Sequence, residues 1–238
     1  MPSPPFNWRA YDAYLFDIDG TLLNAHDGVH YNSFHSALRQ VYGCEGPIDD
    51  VPVHGNTDIG ILRAALKHHA SLPDGEFEAR LPQALEMMRA EVERNADRIR
   101  PVLCPSIAEL LAALYAECKL LGVVTGNLER IGWSKLERAG VRKYFAFGSF
   151  SDEREKRADI FRHGVDEARR LRGAATTVCF VGDTPADIRA AAAVGMPVIA
   201  VATGIYSHAE LAANAPDLCV KTVAELLTSV TTADFRQK

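Results

Sequence analysis

The chain has 238 residues, 47% of them hydrophobic and 24% charged, with a formal net charge of −5. That length holds one large domain or a core plus a smaller insert, and the balance excludes disordered and collagen-like classes. There is no dense Lys/Arg tract of the kind that tracks a nucleic-acid backbone, whereas a small anionic ligand stays open because a bound cation can offset an acidic site. Five cysteines (Cys44, Cys104, Cys118, Cys179, Cys219) are odd in number and lack a Cys-x-x-Cys pair. They read as buried thiols of a reducing cytoplasm, not as a disulfide framework or zinc site. Met1 to Asp12 carries three prolines and no apolar run, so neither a signal peptide nor a membrane span is expected there and a cytoplasmic location follows.

In chain order, Tyr14-Leu15-Phe16 reads as a strand buried on both faces. From about 23 to 100 the pattern turns helical, with stripes at Tyr31, Phe34, Leu38, Val41, then Leu62, Ala65, Leu66, then Phe77, Leu81, Leu85, Met88, Val92. Pro101-Val102-Leu103 marks a return to alternating strands and helices. Strands are expected at Leu120–Val124, Tyr144–Phe147, Thr177–Val181 and Pro197–Val201. Helical faces are expected at Ile107, Leu110, Leu111, Leu114 and at Ile160, Phe161, Val165, Ala168, Leu171. Thr184-Pro185 opens a further helix that Gly195 closes, and Thr222 with Glu225 has the spacing of a capping box for the last one, whose inner face would carry Val223, Leu226, Leu227 and Val230. This alternation implies an α/β fold with a mostly parallel sheet, interrupted after its first strand by a helical insert.

Three of the strands end in residues that carry chemistry. Phe16-Asp17-Ile18-Asp19-Gly20-Thr21 delivers two carboxylates to a strand end and turns at glycine, at the edge where open α/β sheets bind ligands. Read alone, Asp-x-Asp-Gly is equally a solvated turn; a calcium loop is excluded, because its glycine belongs at the sixth position and here it is fourth. A second strand ends in Gly182-Asp183-Thr184-Pro185-Ala186-Asp187, and carboxylates at two separate strand ends imply a shared cation; Asp187 would also suit the dipole of the helix it opens. Thr125-Gly126-Asn127 offers hydroxyl and backbone donors for phosphate oxygens, or is an ordinary turn. Asp152 to Arg157 supplies cations, most of them expected to be solvated. None of the eight histidines is read as a metal ligand; those of the insert, His26, His30 and the pair His68-His69 included, are read as solvated, with His26 and His30 near enough to the strand end to touch a ligand. Trp8 and Trp133 read as packing residues.

In order and spacing these motifs resemble the haloacid dehalogenase superfamily, specifically its phosphatase branch with a helical cap inserted after the first motif, of the phosphoglycolate phosphatase kind. The resemblance covers essentially the whole chain. It implies a three-layer Rossmann-like core of residues 1–22 and 101–238 and a helical cap of 23–100. It implies Asp17 as nucleophile, Asp19 as general acid/base, and Mg2+ held by Asp17, the Asp19 backbone carbonyl and Asp183. Thr125, Gly126, Asn127 and a cation, Lys156 or preferentially Arg157, would hold the phosphate, with Asp187 orienting the site. Relatives often carry Lys-Pro where this chain has Lys156-Arg157. The acid at Asp19 points to phosphoryl transfer instead of dehalogenation or phosphonate cleavage. The substrate class implied is a small phosphorylated metabolite, acted on by a monomer or homodimer. A phosphomutase of the same family, or a catalytically silent scaffold, are the alternatives.

Overall fold

The computed structural model describes residues 6–24 and 28–228. His26 and Val230 lie outside them. Six strands, β1 (Ala13–Phe16), β2 (Leu120–Val124), β3 (Phe147–Ser149), β4 (Val178–Gly182), β5 (Val198–Val201) and β6 (Leu218–Val220), form one sheet. Its order is β3-β2-β1-β4-β5-β6, and every pairing is parallel. The chain moves outward from β1 through β2 to β3, then crosses to the other side of β1 for β4. The crevice beyond the carboxyl ends of β1, β2 and β4 is therefore the topological switch point.

Nine helices accompany the sheet: α1 (Gly28–Tyr42), α2 (Asp58–His69), α3 (Asp74–Arg94), α4 (Ile107–Ala116), α5 (Glu129–Arg138), α6 (Arg157–Arg172), α7 (Pro185–Ala193), α8 (His208–Ala212) and α9 (Ala224–Thr228), counted among the described residues. Period-two alternation splits the strands between two apolar layers. Tyr14 and Phe16 pack with Val123, Val181 and the α4 stripe Ile107, Leu110, Leu111, Leu114, while Ala13 and Leu15 pack with Phe180 and with Phe161 and Val165 of α6. Burial on both faces is why these strands carry hardly a polar residue.

Helices α1, α2 and α3 lie between β1 and β2 in the chain and have their own apolar cluster around Phe34, Leu38, Leu62, Phe77 and Met88. That cluster also takes in Leu128 and Ile131 at the start of α5. The segments joining insert to core run side by side: Leu23 pairs antiparallel with Leu103, and the Asn24 N–H donates to the Val102 carbonyl at 2.8 Å. Ion pairs tie the insert down at two further places, Arg63 to Glu155 at 2.6 Å and Arg89 to Asp152 at 2.7 Å.

Four details differ from the sequence reading. The aromatic run Tyr144–Phe147 is not a strand; Arg142–Tyr144 is a 3-10 turn and the strand starts at Phe147. Its small residues Gly148 and Ser149 are chosen for closeness, since Phe150 lies against Gly148 and the Ser149 hydroxyl donates to the Ile160 carbonyl. β6 carries only three residues and follows Pro216-Asp217, too short a run to register as a strand. Tyr31 and Leu171, assigned to inner helical faces, are exposed; each sits at the end of its stripe, where the helix rotates away from the core. Of the cysteines, Cys44, Cys104 and Cys179 are buried, but Cys118 is exposed and Cys219 half-buried, and none is in a disulfide. No helix among the described residues is long and apolar enough to cross a membrane.

Candidate active site

β1 delivers Asp17 to the switch point, its N–H donating to the Val181 carbonyl at 3.0 Å, so the register of β1 on β4 fixes its backbone. The chain then turns through Gly20 at φ +90, a conformation that disfavours a side chain, and a Cβ there would come within 2.2 Å of the Asp183 carboxylate. Thr21 follows and donates to Asp183 Oδ1 at 2.9 Å. Asp187 is the third residue of a capping box with Thr184: its Oδ2 accepts from the Thr184 N–H at 3.0 Å and hydroxyl at 2.7 Å. Its other oxygen accepts from Arg157 Nε at 2.8 Å and Nη2 at 2.6 Å, and the same Nη2 lies 2.9 Å from Asp17 Oδ2. Asp187 thus aims Arg157 at Asp17. Lys156, the other candidate cation, is exposed.

Burial sets the electrostatics here. Asp17, Asp183 and Asp187 are all buried, with carboxylate oxygens within 4.8 Å of one another. Burial pushes the Asp17 carboxyl up to about 7; Arg157 opposes that, while Asp187 and Asp19 add to it. Asp183 is raised well above the usual carboxylate range by burial and by Asp17 and Asp187. For Arg157 burial works against the charge, but Asp17 and Asp187 outweigh it and hold the guanidinium protonated.

Asp19, two residues on, belongs to a different set of contacts. Lys135 of α5 donates to its Oδ1 at 3.0 Å and Oδ2 at 2.8 Å, and the Asn127 amide donates to Oδ2 at 2.8 Å. Burial alone would raise this carboxyl; the charge and hydrogen bonds of Lys135, with the Asn127 amide, more than offset it and lower it. Lys135, itself buried, also reaches the Asn127 carbonyl oxygen at 2.8 Å and His30 Nδ1 at 3.0 Å. With the ammonium donating, Nδ1 accepts, and the hydrogen on Nε2 is shared with Asp58 Oδ2 at 3.1 Å. That oxygen also accepts from the Leu128 N–H at 2.8 Å. His30 and Asp58 come from the insert, Lys135 and Leu128 from the core. A chain of polar contacts therefore crosses between them and ends on Asp19.

These findings revise the expectation for His30 and give the contacts of two other predicted residues. His30 is buried at 8% exposure, not solvated. Asn127, expected beside Thr125 and Gly126 around the phosphate, spends its amide on Asp19 and Thr125 and its carbonyl on Lys135, so it joins the Asp19 contacts. Gly126 lines the cavity beside Thr125; its carbonyl accepts the Asp58 N–H at 2.8 Å, and a Cβ would come within 2.2 Å of the Asn56 carbonyl. Lys135, Asp58 and Thr203, whose hydroxyl donates to the Gly20 carbonyl at 2.6 Å, were not singled out by sequence. Signals existed. Leu128, Ile131 and Lys135 share one helical stripe, which puts the lysine on a buried face, and Thr203-Gly204 follows β5 as Thr125-Gly126 follows β2.

Both sets open on a cavity of about 380 Å³ lined by Asp17, Asp19, Thr125, Asp183 and, from the insert, Phe34 and Ile61 among others. Asp17, Asp19 and Asp183 line it beside Lys135 and Arg157, and Asp187 stands behind Arg157. The buried oxygen donors of Asp17, Asp183 and Asp187 suit a hard divalent cation such as Mg2+, which would favour their ionised forms.

A family model for the haloacid dehalogenase-like hydrolases matches residues 14–201. The chain belongs to the haloacid dehalogenase-like hydrolases. Among relatives in that family, the protein named "Probable phosphatase IndB" from Dickeya dadantii is 30% identical, over 90% of this chain and 90% of its own length. A phosphoglycolate phosphatase from Synechococcus elongatus is 29% identical, over 92% and 97%. As a haloacid dehalogenase-like hydrolase with such relatives, the chain is an enzyme of the phosphoric monoester hydrolase class. Two solved structures share the fold. A predicted phosphoglycolate phosphatase from Haemophilus somnus superposes with a TM-score of 0.67 at 22% identity, covering 92% of this chain and 98% of that one. CbbY from Rhodobacter sphaeroides in complex with xylulose-1,5-bisphosphate gives 0.66 at 21% identity, covering 91% and 96%.

Proposed function

We propose that this phosphatase hydrolyses a small phosphate monoester through a phospho-aspartyl intermediate on Asp17, with Mg2+ as cofactor and residues 23–100 acting as a cap over the site. The observation that carries the reading is the separation of two neighbouring carboxylates: Asp17 faces Arg157, Asp183 and Asp187, while Asp19 faces Lys135 and Asn127. One is placed to attack and the other to move protons.

In the first half-reaction an Asp17 carboxylate oxygen attacks phosphorus and the bond to the ester oxygen breaks. Arg157, held on Asp187, and the Thr125 hydroxyl offset charge on the transferring oxygens. Asp19 gives a proton to the leaving oxygen. In the second half Asp19 takes a proton from the water that attacks the phospho-aspartate, freeing Asp17 and inorganic phosphate. Mg2+ would be held by Asp17, Asp183 and the Asp19 backbone carbonyl, and when bound it supplies screening between the carboxylate and the incoming phosphate. Lys135 favours the ionised form of Asp19, which suits the second half-reaction and leaves the first dependent on how good the leaving group is.

The test is hydrolysis of p-nitrophenyl phosphate with Mg2+, with rapid-quench mass spectrometry of the peptide containing Asp17. Turnover that chelator abolishes, with a phosphoryl adduct on Asp17, is the expected result. Full turnover in chelator, or an adduct elsewhere, would overturn the assignment.

A further inference from the structure

The cavity wall opposite Asp17 narrows the substrate class, and this step rests on the phosphatase reading above. The insert presents Phe34, Ile48, Val53 and Ile61 to the cavity, and Ile205 faces it from the loop after β5. Phe34, Ile48 and Ile61 are buried, so this wall is part of the insert's packed core. Among the described lining residues the lysines and arginines are Lys135 and Arg157. Both are committed: Lys135 to Asp19, Asn127 and His30, Arg157 to Asp17 and Asp187. The ionisable groups that the insert itself adds are two acids, Asp58 bound to His30 and Asp49 accepting from the Tyr31 hydroxyl, and two imidazoles, His30 and the exposed His54.

A leaving group with a second anionic group, a carboxylate or another phosphate, would lose water against this wall and meet like charge without a counter-ion, a cost apolar contact does not recover. An uncharged leaving group with an apolar body would bury surface there instead. We infer that the preferred substrate is a phosphate monoester of an uncharged alcohol bearing an apolar or aromatic group, in contrast to phosphoglycolate, which gives several relatives their name.

The experiment compares kcat/KM of the full-length enzyme with Mg2+ for 2-phenylethyl phosphate, n-propyl phosphate and phosphoglycolate, with p-nitrophenyl phosphate as activity control. Work at pH 8, above the ordinary imidazole range, keeps imidazolium from acting as a counter-ion. The expected order is phenylethyl above propyl above phosphoglycolate, with roughly tenfold or more between first and last. Val53→Arg, which adds a cation to a half-buried loop position on the wall, should move the ratio toward phosphoglycolate by about tenfold. Phosphoglycolate turned over as well as or better than the phenylethyl ester by the wild type overturns the substrate class while p-nitrophenyl phosphate hydrolysis keeps the phosphatase reading. No hydrolysis of any ester overturns both. The wild-type order decides the matter even where Val53→Arg fails to fold.

Discussion

Asp17 and Asp19 lie two residues apart yet are supported from different parts of the molecule. Among the described residues the cation paired with Asp17, Arg157, and the acid that holds it, Asp187, come from helix starts of one sheet-centred core. Asp19 is held by Lys135 and Asn127 of the core, and Lys135 is in turn held by His30, itself bound to Asp58, both from an insert joined to the core by two chain segments. The difference teaches how labour is divided. In the proposed mechanism the attacking group, Asp17, has its backbone fixed by the register of β1 on β4, whereas the proton carrier, Asp19, is linked through Lys135 to the insert. Environment also drives the two carboxyls in opposite directions, Asp17 up and Asp19 down.

The sharpest way to break this comparison is to remove each acid in turn. Asp17→Asn takes away the proposed nucleophile, and turnover of every ester should fall by about 10⁴ or more, with no phosphoryl adduct. Asp19→Asn keeps its backbone carbonyl and loses the proton carrier, at roughly 10²–10⁴ in rate. That loss should be larger for an alkyl than for an aryl phosphate, because an aryl oxygen leaves with less help, and the adduct should accumulate. Equal losses for both ester types would remove Asp19 from the first half-reaction.

A smaller effect separates the two sides more finely. Lys135→Met removes the cation that lowers Asp19, so the Asp19 carboxyl should rise. The ratio of alkyl to aryl phosphate hydrolysis at neutral pH should then increase, because above its pKa a carboxyl gains protonated fraction as that pKa rises. Asp58→Asn weakens the far end of the same chain of contacts and should move that ratio in the same direction by a few-fold at most, leaving adduct formation from p-nitrophenyl phosphate in place. A ratio unmoved by both variants would mean that the contacts crossing from the insert are structural alone.

How much of this was legible in the sequence follows the same division. Asp17, Asp19 and Asp183 stand at the ends of apolar runs, and a strand end in an open parallel sheet is a position local pattern can find. The helical insert was legible from its period of 3.6. Lys135 was not singled out, because a lysine in a helix ordinarily faces water and its burial is decided by Asp19, 116 residues earlier. His30 and Asp58 were hidden for the same reason: their meaning lies in a contact between α1, the start of α2 and the core, which no local window contains. Arg157 was separable from Lys156 only by helix phase, since α6 starts at Arg157 and Asp187 draws that side chain inward. β3 and β6 were misplaced or missed because short edge strands with glycine, serine or a single apolar pair carry little periodic signal.

The last prediction needs no substrate and tests the Asp17 side as a cation site. With the cation removed, Asp17 holds its proton in the folded state up to about pH 7, whereas in the unfolded chain it releases it at about pH 4. Between those limits the folded state binds more protons, so the metal-free protein should lose stability as pH rises from about 4 to 7 and then level off; Asp183, also raised, adds to the same slope. Mg2+ competes with those protons and should stabilise most where the carboxylates are ionised. Its effect on Tm by calorimetry should be on the order of 5 °C or more at pH 8 and much smaller at pH 5. Asp17→Asn, which carries no charge to repel Asp183 and Asp187, should flatten the metal-free slope and lose most of the Mg2+ effect, while Lys135→Met should keep both. A Tm change with Mg2+ that is equal at pH 5 and pH 8, or that survives Asp17→Asn, would move the cation away from Asp17.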